Sequence, residues 1–196
     1  LRQVLGDHVK QQGSWVGAER LRFDFSHFEP LTNEQIERIE DLANAEIFSG
    51  EAMEIIETSM NEAKEMGAIA FFGDKYGDQV RVLRAGANSL ELCGGTHVNH
   101  LGDVGPVKIL SEGSIGSNIR RIEAVAGSAS VTLLREQDLV IVETASLIGV
   151  PPANLIEGLE KKLREIEKLQ NELCHDWGQY SKHWMFQTHP QLYFHL

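Results

Sequence analysis

The stretch Ser89-Leu90-Glu91-Leu92-Cys93-Gly94-Gly95-Thr96-His97 decides how this chain is read. It begins as a short strand and ends in a turn built on two glycines. A cysteine and a histidine four residues apart across such a turn can both reach one metal ion, because glycine allows the positive φ angles the turn needs. Thiolate and imidazole are donors that suit zinc. The same residues also fit a structural cysteine beside a surface histidine. His100 lies close by as a candidate third donor.

A zinc site takes about three or four protein ligands. The histidines stand at 8, 27, 97, 100, 175, 183, 189 and 195, and no two are separated by the four residues that place both on one helix face. The chain therefore offers half a site: either the other donors lie outside it, or there is no site.

Upstream of this stretch, Leu1, Val4, Leu5 and Val9 have helical spacing, broken at Gln11-Gln12-Gly13-Ser14. Residues 14–28 predict two short strands around a turn near Gly17–Glu19, with Leu21, Phe23 and Phe25 alternating with Arg22 and Asp24. Thr32-Asn33-Glu34-Gln35 has the form of a capping box and opens a helix that runs to Gly50. Strands are expected at Ala52–Thr58, Ala68–Phe72, Gln79–Arg84 and Ser89–Leu92, with a short helix from Ser59 to about Met66. Downstream, Val104–Glu112 and Ile119–Val125 read as strands separated by a loop at Gly113–Ser117. This irregular interleaving predicts an α+β fold.

After Gly127 the pattern changes. Val131, Leu134, Ile141, Ala145 and Ile148 recur at helical steps, and Gly149-Val150-Pro151-Pro152 marks a turn. Beyond it Ile156, Leu159, Leu163, Ile166 and Leu173 form a heptad run, with Gln170 in the remaining core position. Residues 128–174 are expected to form a helical hairpin or coiled-coil linker, the second helix folding back on the first. Residues 175–196 lack periodicity and read as an atypical tail. The expected division is 1–127, 128–174 and 175–196.

The 196 residues suffice to bury about 70% of the unfolded surface. Hydrophobic content is 42% and charged content 24%, ordinary for a globular chain. No apolar run is long enough for a membrane helix. Leu1-Arg2-Gln3 has neither a start methionine nor a signal pattern, so the sequence is expected to begin inside a longer protein. The net charge of -11 argues against wholesale capture of nucleic acid, while Arg120-Arg121 offers a local basic patch. Cys93 and Cys174 lie far apart and suggest a reducing cytosol.

Several ordered motifs carry a resemblance. Glu91–His97 followed by Gly102-Asp103-Val104-Gly105, Arg120–Val125 preceded by Ser111-Glu112-Gly113, Leu21–His27, and the opening Leu1–Gly13 resemble the editing region of alanyl-tRNA synthetases, over residues 1 to about 127. Residues 128–173 resemble the linker that follows it in that family. The resemblance implies a threonyl/alanyl-type editing fold and hydrolysis of mischarged Ser-tRNA(Ala) and Gly-tRNA(Ala). The physical need is clear, since an alanine pocket separates alanine from glycine or serine by only about 1–3 kcal/mol.

In that family zinc is held by an H-x3-H pair and a C-x3-H pair. The second maps onto Cys93 and His97; the first would precede Leu1. The resemblance therefore implies half a zinc site and weak catalysis from this chain alone. It places Gln11 in the pocket, able to recognise a serine hydroxyl, and the Gly94-Gly95-Thr96 turn at the reacting ester. It also implies that Arg120 and Arg121 contact acceptor-end phosphates. Because neighbouring strand residues point to opposite faces, one of the two arginines is expected to be a structural ion pair with Glu112 or Glu123. The implied partners are the tRNA(Ala) acceptor end and the remainder of a synthetase, in the cytoplasm, with neither a membrane nor DNA. Three alternatives stand beside this reading: a threonyl-type editing domain, a free-standing editing protein, and a non-catalytic module for tRNA placement or helix association.

Overall fold

The computed structural model describes residues 1–69 and 77–188, with side chains as far as 177. The alternation at 21–25 produces strand β2 (Leu21–Ser26), apolar on one face and charged on the other. It pairs with β1 (Gln11–Val16) and with β7 (Ile119–Ala126), and β7 pairs with β6 (Val107–Gly116). All pairings are antiparallel, in the order β1-β2-β7-β6.

Register determines what each face carries. Leu21 lies opposite Ala124, Phe23 opposite Ile122 and Phe25 opposite Arg120, all toward the core. Arg22 opposite Glu123 and Asp24 opposite Arg121 form the other face. Val9, Phe25, Leu31, Ile39, Ile122 and Ala124 are the buried centre, joined by the half-buried Val4, Leu5 and Phe23. Burying such side chains contributes roughly 1.5–3 kcal/mol each.

Helix α2 (Asn33–Ser49) covers this face. Its capping box is complete: Thr32 Oγ1 accepts from the Gln35 amide at 3.2 Å, and Gln35 Oε1 accepts from the Thr32 amide at 2.9 Å. Gly50 ends it at φ 65°, a left-handed position that suits glycine. The helix also covers the outer edge of β6. Asn44 donates to the Val107 carbonyl at 2.9 Å and accepts from its amide at 2.8 Å. Glu40 accepts from the Ile109 amide at 2.6 Å and from Lys108 Nζ at 2.8 Å. Side chains thus do for β6 what a further strand would do.

A three-stranded antiparallel sheet, in the order β3-β4-β5, is built from β3 (Met53–Ser59), β4 (Gln79–Ala85) and β5 (Ser89–Leu92). Helix α3 (Met60–Glu65) starts at a second capping box, between Ser59 and Glu62. Ala63, Val80, Val82 and Leu92 form the small core here. Of the strand expected at Ala68–Phe72, Ile69 bridges in parallel to Glu91; residues 70–72 lie outside the described residues.

The chain divides into two compact units, Leu1–Leu134 and the residues from Arg135 onward. Helix α4 (Ser128–Ile148) spans the division, and α5 (Leu155–Thr188) lies in the second unit. In that unit Gly149, at φ 78°, donates to the Ala145 carbonyl at 3.0 Å, and Val150 fills the space left by the missing side chain of Gly158. Among the described residues no single helix is long and apolar enough to cross a membrane.

Four expectations need correction. The opening helix is only α1 (Arg2–Leu5), because Gly6 at φ 108° turns the chain and carries Val9 into the core, with Gln11 already in β1. The glycine-rich segment at 113–117 is not a loop: Gly113, Ser114 and Gly116 pair with Arg121, Arg120 and Ile119, and the turn centres on Ser117 and Asn118. The heptad helix does not fold back, since the direction changes by 76° between α4 and α5, far short of the half-turn of a hairpin. Ile156, Leu163 and Ile166 consequently stay exposed. Finally, the tail is helical as far as Thr188, because a helix already nucleated propagates through residues without strong periodicity when no proline intervenes.

Candidate functional site

The Cys93–His97 turn grows out of β5 and is held at both ends. Cys93 donates its amide to the Arg81 carbonyl on β4 at 3.1 Å. Beyond the turn, Met53 donates to the Asn99 carbonyl at 2.8 Å and Leu101 to the Glu51 carbonyl at 2.9 Å, while Ala52 and His100 form a β-bridge. Between these anchors, Arg81 Nη1 donates to the Gly95 carbonyl at 2.5 Å.

Both donor atoms border the space beside Gly95. A methyl placed on Gly95 would lie 3.6 Å from Cys93 Sγ and 3.6 Å from His97 Nε2. Glycine at 95 therefore leaves open the volume that both donors border. A methyl placed on Gly94 would meet nothing within 4 Å. Partial loss of hydration, and then the Arg81 cation, hold the largely exposed His97 imidazole below its ordinary pKa, with Glu91 opposing. Neutral imidazole is the form that binds a metal. A cysteine sulfur and an imidazole on a shared open volume fit half of a zinc site. Among the described residues no group of three or more His, Cys, Asp or Glu could complete it. His100 is engaged elsewhere, with Asp103 Oδ2 3.1 Å from its amide and 3.9 Å from its Nδ1.

A cavity of about 470 Å³ has Glu91, two residues before Cys93, in its wall. Val9, Gln11 and Phe23 line it from the first sheet and its approach, Leu42 from α2, and Ser89 and Glu91 from β5. Its lining is mainly apolar with a few polar groups, the usual make-up of a small-molecule pocket. Gln11 donates from Nε2 to Ser14 Oγ at 2.9 Å, and Ser89 donates to Glu91 at 3.1 Å. Gln11 and Glu91 thus share one cavity, whereas Cys93, Gly94, Gly95, Thr96 and His97 lie outside its lining.

The two arginines separate as strand geometry requires. Arg120 turns inward and makes two bonds to Glu112, at 2.5 and 2.6 Å, in a largely buried pair. Glu112 is the partner that the expected structural ion pair called for. Arg121 turns outward and makes its own two-bond pair, with Asp24 on the charged face of β2. Neither arginine lines the cavity.

Two contributors carried no recognisable sequence signal. Arg81 is one polar residue between Val80 and Val82 on a strand, and only folding brings it to Gly95. Glu46, on α2, accepts a hydrogen bond from Asn88 and fills the space beside Gly86 at the β4–β5 turn.

Residues 80–123, which include Arg81, the Cys93–His97 turn and both arginines, match the family described as the threonyl and alanyl tRNA synthetase second additional domain. An alanine–tRNA ligase of Pseudomonas fluorescens is 49% identical over 174 residues, covering 88% of this chain and 20% of the relative. That of Xanthomonas campestris pv. campestris is 46% identical over 181 residues, covering 89% and 20%. That of Desulforamulus reducens is 45% identical over 173 residues, covering 88% and 20%. The chain thus spans about a fifth of the length of the curated relatives it matches.

Proposed function

We propose, on the premise that this chain belongs with the alanine–tRNA ligases as the counterpart of about a fifth of their length, that its first unit removes wrong amino acids from tRNA(Ala). The reaction is hydrolysis of the ester joining serine or glycine to the 3′-terminal ribose. Water adds to the ester carbonyl, the bond to the ribose oxygen breaks, and free amino acid and tRNA leave. The observation that carries this reading is that Cys93 Sγ and His97 Nε2 both border the open side of Gly95.

Cys93 and His97 would hold zinc, which when bound would supply either substrate orientation or activation of water. The remaining contributions belong to the chain. Gln11, one of the polar residues lining a mainly apolar cavity, would bond the serine hydroxyl. Backbone amides of the Gly94-Gly95-Thr96 turn face the ester oxygen as charge develops on it. Arg121, with Nε and Nη2 on Asp24, retains Nη1 for a phosphate of the acceptor end. Arg120 supports the sheet through Glu112. Two metal donors among the described residues fall short of the usual set, and weak hydrolysis by this chain alone is expected. The cytoplasm and the rest of a synthetase are the expected setting.

The test is deacylation of Ser-tRNA(Ala) by this chain and by a longer chain that also supplies an H-x3-H helix, each assayed with its zinc content. Strong hydrolysis and zinc binding in the longer chain, lost together in Cys93→Ala, support the reading. Zinc-loaded protein that leaves the ester intact overturns it in favour of a non-catalytic tRNA-placement module.

A further inference from the structure

Arg81 holds the Cys93–His97 turn at two points. Its backbone carbonyl accepts from the Cys93 amide at 3.1 Å, and its Nη1 donates to the Gly95 carbonyl at 2.5 Å. One residue on β4 therefore sets the first residue of the turn and the one midway between the two donors. The rest of the turn has little else to hold it. Gly94, Gly95, Thr96 and His97 are exposed, and two adjacent glycines give this backbone more freedom than any other pair of residues would. A hydrogen bond from a cationic donor is about twice as strong as a neutral one. It is also directional, so it selects one orientation of the Gly95 peptide. That orientation is the one in which Cys93 Sγ and His97 Nε2 border the same open volume.

We propose that Arg81 is the positioning residue of the metal-binding turn: it fixes the Gly95 peptide, and through it the spacing of Cys93 and His97, before any ion arrives. This rests on the reading of those two residues as a ligand pair. Arg84 provides the contrast, because it is also on β4 and pairs with Glu54 at 3.5 Å, without touching the turn.

The test compares the wild-type chain with Arg81→Met, Arg81→Lys and Arg84→Met. Two quantities are read without tRNA: amide hydrogen exchange at residues 94–97, and alkylation of Cys93 with exposed Cys174 as internal reference. Zinc alone is then titrated into each protein. Arg81→Met is expected to speed exchange and Cys93 alkylation roughly tenfold or more, and to weaken the protection that zinc gives Cys93. Arg81→Lys, which keeps the charge and one donor, is expected to fall between, and Arg84→Met to match wild type. Unchanged exchange in Arg81→Met, or an equal rise in Arg84→Met, overturns the proposal. So does global unfolding of even the Lys variant by circular dichroism, which would make Arg81 a general structural residue. A wild-type chain that ignores zinc sinks the ligand-pair reading alone, and the exchange rates still judge the clamp.

Discussion

Arg121 and Asp24 face each other across β7 and β2, with Arg121 Nε 2.7 Å and Nη2 2.9 Å from the two carboxylate oxygens. Arg22 approaches the same carboxylate at 3.8 Å, and its Nε is buried without a hydrogen-bond partner. The Arg121 hydrogen bonds hold the Asp24 carboxyl below its ordinary pKa, burial opposes them, and the charges of Arg121 and Arg22 add to the lowering. A depressed carboxylate contributes stability that is complete above its unfolded value, about pH 4, and is lost as the pH falls through the lower folded value. Asp24→Asn is therefore expected to lower the melting temperature clearly at pH 7, and the gap to wild type should close as the pH drops toward 3. A gap of constant size would show that the ion pair is not its source.

His27 gives a second pH effect, at a different place on the scale. Its Nδ1 lies 2.8 Å from His8 Nε2, a contact that needs one of the two nitrogens to be unprotonated. Burial first, and then His8, hold the His27 pKa below its ordinary value. The unfolded chain takes up this proton at higher pH than the folded one does. The stability His27 contributes is thus complete above about pH 6.5 and falls as the pH drops through the folded value. Urea denaturation of His27→Gln between pH 7 and 5 should show a shallower loss of stability than wild type. An identical slope would assign that loss to other groups.

The edge of β6 makes a prediction about α2. Glu40→Ala removes the acceptor for the Ile109 amide, and Asn44→Ala removes both partners of Val107. Each change leaves partly buried backbone groups unpaired and is expected to cost about 1–3 kcal/mol. Glu37→Ala, at an exposed position on the same helix, should stay within about 0.5 kcal/mol of wild type. Equal effects at the three positions, measured as urea midpoints, would mean that helix propensity rather than edge satisfaction is being read.

Two glycines separate backbone strain from crowding. Gly50, at φ 65°, has nothing within 4 Å of an added methyl, so Gly50→Ala should cost only the left-handed penalty of about 1–2 kcal/mol. Gly105, at φ 69°, would place that methyl 2.7 Å from the Gly127 Cα, a backbone atom that cannot swing aside. Gly105→Ala should therefore cost at least about 1 kcal/mol more, as overpacking does. Thermal denaturation of the two variants side by side decides this, and equal losses would show that the crossing at Gly105 and Gly127 relaxes freely.

Local rules made several elements legible before any fold was known. The alternation at Leu21–Phe25 and the capping box at Thr32–Gln35 each depend on residues within one turn or one strand, and both stand as read. The nearness of the Cys93 and His97 side chains is local in the same way, because a turn of five residues keeps both close in any fold. Errors arose where a neighbour outside the local window decided. Gly113 and Ser114 look like a loop until Arg121 and Arg120 pair with them.

The sequence by itself determined the α+β pattern and the order of its main elements, because hydrophobic period, capping and turn chemistry act over a few residues. Only the tertiary structure decided the rest. It brought Arg81 from β4 to the Gly95 carbonyl, matched Arg121 to Asp24 and Arg120 to Glu112, placed Gln11 and Glu91 on one cavity, and kept α5 from folding back along α4. Each of these depends on strand register or chain direction. A one-residue slip in register exchanges the two faces of a strand, so such contacts exist only once the sheets are paired.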